Sequence, residues 1–71
     1  MFKKNDRVKT PHGTGTITGF EYRGDRTTVI REEYNPDTCL RVEIKLDANN
    51  TWSMYPGNPL YYCNPKELQL I

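Results

Sequence analysis

The side chains that could carry out catalysis are few and well separated in this sequence. His12 is the only histidine, and Cys39 and Cys63 are the only cysteines. Catalysis needs a nucleophile, a base and a group that stabilises developing charge, all held in one pocket. His12 lies between Pro11 and Gly13, so we expect it in a turn with a structural or exposed role, and we expect both thiols to be buried and inert. The sequence therefore predicts a protein that is not an enzyme.

The sequence also gives little support for a metal site or a phosphate-binding loop. One histidine and two separated cysteines would need a carboxylate as fourth ligand to close a zinc site, so we expect no metal. Gly13 to Gly15 could suggest a phosphate loop, but no Lys-Ser or Lys-Thr follows and no helix begins there to offer its amides. Residues 23–25 spell Arg-Gly-Asp, a short match that we interpret as turn chemistry. Nothing here implies a cofactor.

Basic and aromatic side chains are concentrated in the first part of the chain. The basic residues are Lys3, Lys4, Arg7, Lys9, Arg23 and Arg26, and the aromatic residues near them are Phe20, Tyr22 and Tyr34. If the strands pair as a hairpin, the basic residues share one end of the fold, and the rings could stack on bases or on peptide side chains. The alternative is that these charges are solvated strand faces, and Glu32, Glu33 and Asp37 would oppose a phosphate backbone.

A second group of aromatic residues lies nearer the C-terminus: Trp52, Tyr55, Tyr61 and Tyr62. Tyrosine and tryptophan often anchor protein interfaces because they bring a large contact area at low entropy cost, and they also fill small cores. We expect Trp52 and Tyr62 inside the protein and Tyr55 and Tyr61 at its surface. Tyr55 and Tyr61 therefore join the candidate binding residues.

Short strands must position all of these side chains. Leu40, Val42, Ile44 and Leu46 alternate with charged residues, which predicts a strand over residues 39–46 with the apolar side chains inward. Further strands are predicted at 7–10, 15–22, 27–30, 51–55, 60–63 and 68–71, with one helical turn at 64–67. Residues 23–38 are predicted to form a hairpin or projecting arm, ending in an Asn-Pro turn signal.

The second predicted strand contains a conflict between two apolar residues. Strict alternation would put Ile17 and Phe20 on opposite faces of the strand. A bulge at Gly19 would bring both side chains into one core, and we favour that interpretation.

Length and composition limit the kind of protein this can be. The 71 residues suffice for one small domain, and ten Lys and Arg against nine Asp and Glu give a formal charge of +1, which is far from the basic balance of a dedicated duplex DNA binder. Five Tyr, two Phe and one Trp favour folding over disorder. Two cysteines and no apolar leader predict reduced thiols and a cytoplasmic protein, and no apolar run is long enough to cross a bilayer.

Three segments resemble parts of an SH3-like barrel: NDRVKTPHGTGTITGFE at 5–21, RVEIKLD at 41–47 and YYCNPKEL at 61–68. The first is similar to the entry hairpin of KOW, Tudor and CarD-type RNA-polymerase-interacting domains, at the positions Asp6, Val8, His12, Gly13, Gly15 and Ile17. The resemblance implies an all-β fold over residues 1–71, a small SH3-like barrel of five to six short antiparallel strands with one short helical turn near the C-terminus. Members of this class serve transcription and translation, bind modified peptides or dock proteins.

These observations favour a non-enzymatic binding module that engages nucleic acid or the transcription and translation apparatus. The candidate binding residues are Lys3, Lys4, Arg7, Lys9, Tyr22, Arg23, Arg26, Tyr34, Tyr55 and Tyr61. The alternative is a protein-docking or inhibitory accessory module, of the kind carried by bacterial viruses, that binds a partner protein through residues 23–38 and exposed aromatic rings. The near-neutral charge favours this alternative. The sequence leaves the oligomeric state open.

Overall fold

The computed structural model describes residues 1–48 and 60–71, and these residues form one antiparallel sheet. Its strands are β1 (Arg7–Thr10), β2 (Gly13–Arg23), β3 (Thr28–Arg31), β4 (Arg41–Leu46), β5 (Leu60–Cys63) and β6 (Gln69–Leu70), with a 3-10 turn at Pro65–Glu67. The strand order is β5-β4-β2-β1-β6, and β3 also pairs with β2. The predicted all-β fold with one helical turn near the C-terminus is confirmed. The strand predicted at 51–55 lies outside the described residues.

The long strand β2 organises the sheet. Its first half pairs with β1 and its second half with β3, while β4 runs along its other edge. After the 3-10 turn, β6 pairs with β1 through Val8 and Leu70, so the end of the chain returns to its beginning. The sequence predicted a strand at 68–71, and its pairing with β1 leaves fewer strand edges without hydrogen-bond partners.

The predicted bulge in β2 is present, and Thr18 is its extra residue. Ile17 pairs with Ile44, whereas Gly19 pairs with Glu43, the next residue toward the start of β4. The pairing therefore skips Thr18, and both Ile17 and Phe20 are fully buried. Because one inserted residue reverses the alternation of a strand, the bulge places both apolar side chains in the same core.

The core consists of apolar side chains from four strands, β1, β2, β4 and β5, and from the segment before β6. It contains Val8, Ile17, Phe20, Tyr22, Val42, Ile44, Leu46, Tyr61, Cys63 and Leu68. Three of the four alternating residues of the predicted strand at 39–46 are in this core, but Leu40 is 43% exposed. The expectation that Leu40 faces inward is wrong, because β4 begins only at Arg41. Leu40 instead follows a turn in which the Cys39 N–H donates to the Asn35 carbonyl.

The expected positions of two neighbouring tyrosines are also wrong. Tyr61 is only 8% exposed, whereas Tyr62 is half-buried. Tyr61 pairs with Ile44 across β4 and β5, and Tyr62 pairs with Glu43. Paired residues in an antiparallel sheet lie on the same face, so the register puts Tyr61 in the core and Tyr62 on the outer face. Trp52 and Tyr55 lie outside the described residues.

Two predicted turns adopt the expected conformations. Gly13 has a φ of 124° between β1 and β2, a value that favours glycine because it has no Cβ. At the 3-10 turn, the Asn64 side chain accepts a hydrogen bond from the Lys66 N–H at 2.9 Å, so one otherwise unpaired amide at the start of the turn is satisfied.

Candidate functional site

The β2–β3 hairpin and the segment that follows it form a concave surface. In the hairpin, Phe20 pairs with Arg31 and Tyr22 pairs with Val29. Arg31 and Val29 therefore lie on the same face of the hairpin as the two core rings. The chain after β3 then folds back across this face, so the region predicted as an arm contributes to both the core and the surface.

The rings of Tyr22 and Tyr34 attach the returning segment to the body. Tyr22 is 7% exposed, and its hydroxyl donates to the Glu33 carbonyl and accepts from the Asn35 N–H. Tyr34 packs against Phe20, with ring centroids 5.1 Å apart, and burial raises the pKa of its hydroxyl. The expectation that Tyr22 is available for stacking is wrong, because its ring is buried and its hydroxyl already has two partners. Tyr34 remains partly exposed.

A groove of about 670 Å³ lies between the hairpin and the returning segment. It is lined by Tyr22, Arg23, Arg31, Glu33, Tyr34, Asn35, Pro36 and Thr38. We call it the arginine groove. Three of the predicted site residues, Tyr22, Arg23 and Tyr34, line it together. Arg31 was not predicted, although its position opposite Phe20 could have indicated it once the β2 and β3 register was known.

The five arginines of the chain fall into two groups. Arg7 contacts Asp47 and Arg41 contacts Glu21, each through two guanidinium nitrogens and two carboxylate oxygens. Arg23, Arg26 and Arg31 make no salt bridge with any residue of 1–48 or 60–71. All three lie in or directly beside the β2–β3 hairpin, so the unpaired guanidinium groups are gathered at one part of the surface.

A second, smaller groove adjoins the first. Its volume is about 380 Å³, and it is lined by Tyr34, Pro36, Cys39, Leu40, Asn64, Pro65 and Lys66. We call it the Leu40 groove. Tyr34 and Pro36 line both grooves, so these two residues form a shared ridge between a surface with Arg23, Arg31 and Glu33 and a surface with Leu40, Pro65 and Lys66.

The predicted basic cluster does not share one end of the fold. Arg7 on β1 pairs with Thr16 of β2, whereas Arg23 lies seven residues further along the same strand. At about 3.3 Å per residue, these β2 positions are roughly 23 Å apart. The hairpin of β1 and β2 therefore carries Arg7 and Lys9 at one end of the sheet, and the β2–β3 hairpin carries Arg23 and Arg26 at the other.

Salt bridges also reduce the charge available on that first group. Lys4 Nζ is 2.6 Å from Glu32 Oε1, and Arg7 makes the paired contact with Asp47 described above. Arg7, with the Thr14 hydroxyl, holds the pKa of Asp47 well below its usual range. Lys3 and Lys9 are exposed and make no salt bridge with a described residue.

The outer face of the first half of the sheet carries a short cationic row. Arg7 pairs with Thr16, and Thr16 pairs on its other side with Lys45 of β4. In the next row, Lys9 pairs with Thr14. The sequence analysis did not select Lys45, because only the register between β2 and β4 shows that it joins Arg7 and Lys9.

The residues considered for catalysis have structural surroundings. The His12 ring meets the Tyr61 ring edge to face, with centroids 4.9 Å apart. Cys63 is 4% exposed, and burial raises the pKa of its thiol to about 12. Within the described residues, no three His, Cys, Asp or Glu side chains lie where they could hold a metal ion, and no helix there is long and apolar enough to span a membrane.

No protein-family model, curated protein or solved structure matches this chain. The site geometry is therefore what supports a functional proposal.

Proposed function

We propose that this protein is a non-enzymatic binding module that docks a partner protein on the arginine groove. The observation that carries the proposal is the position of the three arginines that make no salt bridge with a described residue, all of which lie at the β2–β3 hairpin beside a groove of about 670 Å³. Arginine is suited to this role because its planar guanidinium donates two parallel hydrogen bonds to a carboxylate.

The surroundings of these arginines favour a protein over a nucleic acid. Glu33 lines the arginine groove, and Glu32 follows directly after β3. A phosphate backbone would meet these carboxylates, whereas a folded protein or peptide can offer hydrogen-bond donors to them and carboxylates to the arginines. Tyr34 adds a partly exposed ring to the same surface, and tyrosine is a frequent anchor of protein interfaces.

The decisive experiment compares two triple variants with the same change in charge. One changes Arg23, Arg26 and Arg31 to Ser, and the other changes Lys3, Lys9 and Lys45 to Ser, which are exposed lysines that line neither groove. Each tagged protein is used to recover partners from lysate, with and without nuclease, after circular dichroism has confirmed folding. We expect one stoichiometric protein to be retained by the wild type and the lysine variant, to be lost by the arginine variant, and to be indifferent to nuclease. Equal loss in both variants would contradict the proposal.

A second candidate function is nucleic-acid binding on the outer face, as the resemblance to KOW, Tudor and CarD-type domains implies. The row of Arg7, Thr16 and Lys45, with Lys9 and Thr14 beside it, is the observation that favours it. Changing Lys9 and Lys45 to Ala should weaken binding to any oligonucleotide sequence and reduce the slope of log K against log salt by roughly two for two lost phosphate contacts. An unchanged slope would remove this face from consideration.

A further inference from the structure

The two grooves are adjacent and share part of their lining. Tyr34 and Pro36 line both of them. On one side of this ridge, Arg23 and Arg31 supply two guanidinium groups that have no salt-bridge partner among the described residues. On the other side, Leu40 is 43% exposed and lies with Pro65 in the groove lining. An exposed leucine within a groove is apolar area that a ligand can bury.

The ridge between the grooves is held in place by the body of the protein. The Tyr34 ring packs between Phe2 and Phe20, with ring centroids 5.5 and 5.1 Å away. The Asn35 backbone is bonded to the Tyr22 hydroxyl, and the Asn35 carbonyl accepts from the Cys39 N–H at 2.9 Å. A surface fixed in this way needs little ordering when a ligand binds, which favours recognition of a short flexible segment.

From this arrangement we infer that the occupant is an extended acidic peptide segment of the partner protein with an apolar side chain beside its carboxylates. The carboxylates contact Arg23 and Arg31 in the arginine groove, the backbone crosses the ridge of Tyr34 and Pro36, and the apolar side chain packs on Leu40 and Pro65. Arg23 and Arg31 select the carboxylates, Glu33 in the same lining selects a hydrogen-bond donor such as a peptide N–H beside them, and the exposed apolar area selects the anchor. This inference rests on the proposed function, since it specifies the ligand of the same surface.

The test uses synthetic peptides and fluorescence anisotropy. The probes are fluorescein-labelled peptides that carry two Glu residues, one for each groove arginine, separated by Ser. One Leu follows the Glu pair, and its distance from the pair varies from one peptide to the next. One set of controls replaces Glu by Gln, and another replaces the Leu by Ser. We expect the best Glu and Leu peptide to bind, the Gln peptide to lose at least about tenfold in affinity because charge-assisted hydrogen bonds are lost, and the Ser peptide to bind more weakly.

Protein variants assign the two ends of the peptide. Arg31→Gln should weaken binding of the Glu peptide about tenfold. Lys9→Gln is the control, because it removes one exposed positive charge at the other end of the sheet, outside both grooves. Leu40→Ser should weaken binding of the Leu peptide but leave binding of the Ser peptide unchanged. Equal effects of Arg31→Gln and Lys9→Gln, or equal effects of Leu40→Ser on both peptides, would overturn the inference.

Failure of the inference can be distinguished from failure of the proposed function. If the triple arginine variant no longer recovers the partner protein but no acidic peptide binds the wild type, the docking function stands and the proposed ligand is wrong. If a single-stranded oligonucleotide binds the arginine groove more tightly than every peptide, in a manner that Arg31→Gln abolishes, both proposals are overturned in favour of nucleic acid.

Discussion

The hydroxyl oxygen of Tyr22 accepts a hydrogen bond from the backbone N–H of Asn35 at 2.7 Å. The same hydroxyl donates to the carbonyl of Glu33 at 2.6 Å. A single buried side chain on β2 therefore fixes the backbone that forms the second wall of the arginine groove. This relationship links the core of the sheet to the shape of the proposed binding surface.

Tyr22→Phe should therefore loosen the groove while leaving the sheet folded. We expect the free energy of unfolding to fall by about 1–3 kcal/mol, because the change leaves two backbone groups without their partner. Hydrogen exchange at the Asn35 amide should become faster. Tyr34→Phe is the matched control, since the described structure shows no hydrogen bond from the Tyr34 hydroxyl. If Asn35 exchanges at the wild-type rate in Tyr22→Phe, the hydroxyl does not hold the segment.

Alternation of apolar residues was enough to predict most of the sheet. The strand at 7–10 and the strand at 60–63 have the predicted bounds, and the bulge beside Gly19 was predicted from the conflict between Ile17 and Phe20. These features are local, because both the alternation of apolar residues and the turn residues beside it involve positions that are close together in the sequence.

Relationships between distant strands were not available from the sequence. Whether Tyr61 or Tyr62 faces the core depends on which residue of β4 pairs with each, and a shift of one residue reverses the answer. The prediction that the basic residues share one end of the fold was wrong for a similar reason. A correct prediction required knowing that β2 continues past β1 and pairs with β3. The arginine groove depends on both relationships, so only Arg23, Tyr22 and Tyr34 of its lining were selected in advance.

The salt bridge between Glu21 and Arg41 predicts a loss of stability in acid. Glu21 is 5% exposed, and its two carboxylate oxygens accept hydrogen bonds from Arg41 at 2.7 and 3.0 Å. Arg41 holds the pKa of Glu21 below its ordinary value. Because the folded pKa is lower than the unfolded one, the stabilisation is complete above the unfolded pKa of about 4.3 and is lost as the pH falls through the folded value.

Glu21→Gln should flatten this acid dependence. Urea unfolding at a series of pH values would show a free energy of unfolding that falls less steeply below about pH 4 than in the wild type. Asp47 and Glu32 also have lowered pKa values, so a residual slope is expected. Glu67→Gln, an exposed position on the 3-10 turn, is the control and should keep the wild-type slope. An unchanged slope in Glu21→Gln would mean that this pair does not contribute.

Deleting Thr18 should prevent folding, whereas Thr18→Ala should not. The deletion removes the bulge, so strict alternation would turn either Ile17 or Phe20 out of the core. Losing the burial of such a side chain costs about 3–5 kcal/mol, which is comparable to the whole stability of a small domain. Thr18→Ala keeps the extra residue and removes only the hydrogen bonds from the Thr18 hydroxyl to the carbonyl and carboxylate of Glu43. A deletion variant with dispersed amide resonances like those of the wild type would show that the bulge is dispensable.

The thiol of Cys63 should report on unfolding. It is 4% exposed, and its pKa of about 12 leaves about a ten-thousandth of it as the reactive thiolate at pH 8, against about a quarter for an ordinary thiol. In Cys39→Ala, which leaves Cys63 as the single thiol, reaction with a disulfide reagent should be at least about a thousandfold slower in the native protein than in urea. In Cys63→Ala, the half-buried Cys39 should react faster than that. Rapid labelling of Cys63 in the native protein would contradict its position in the core.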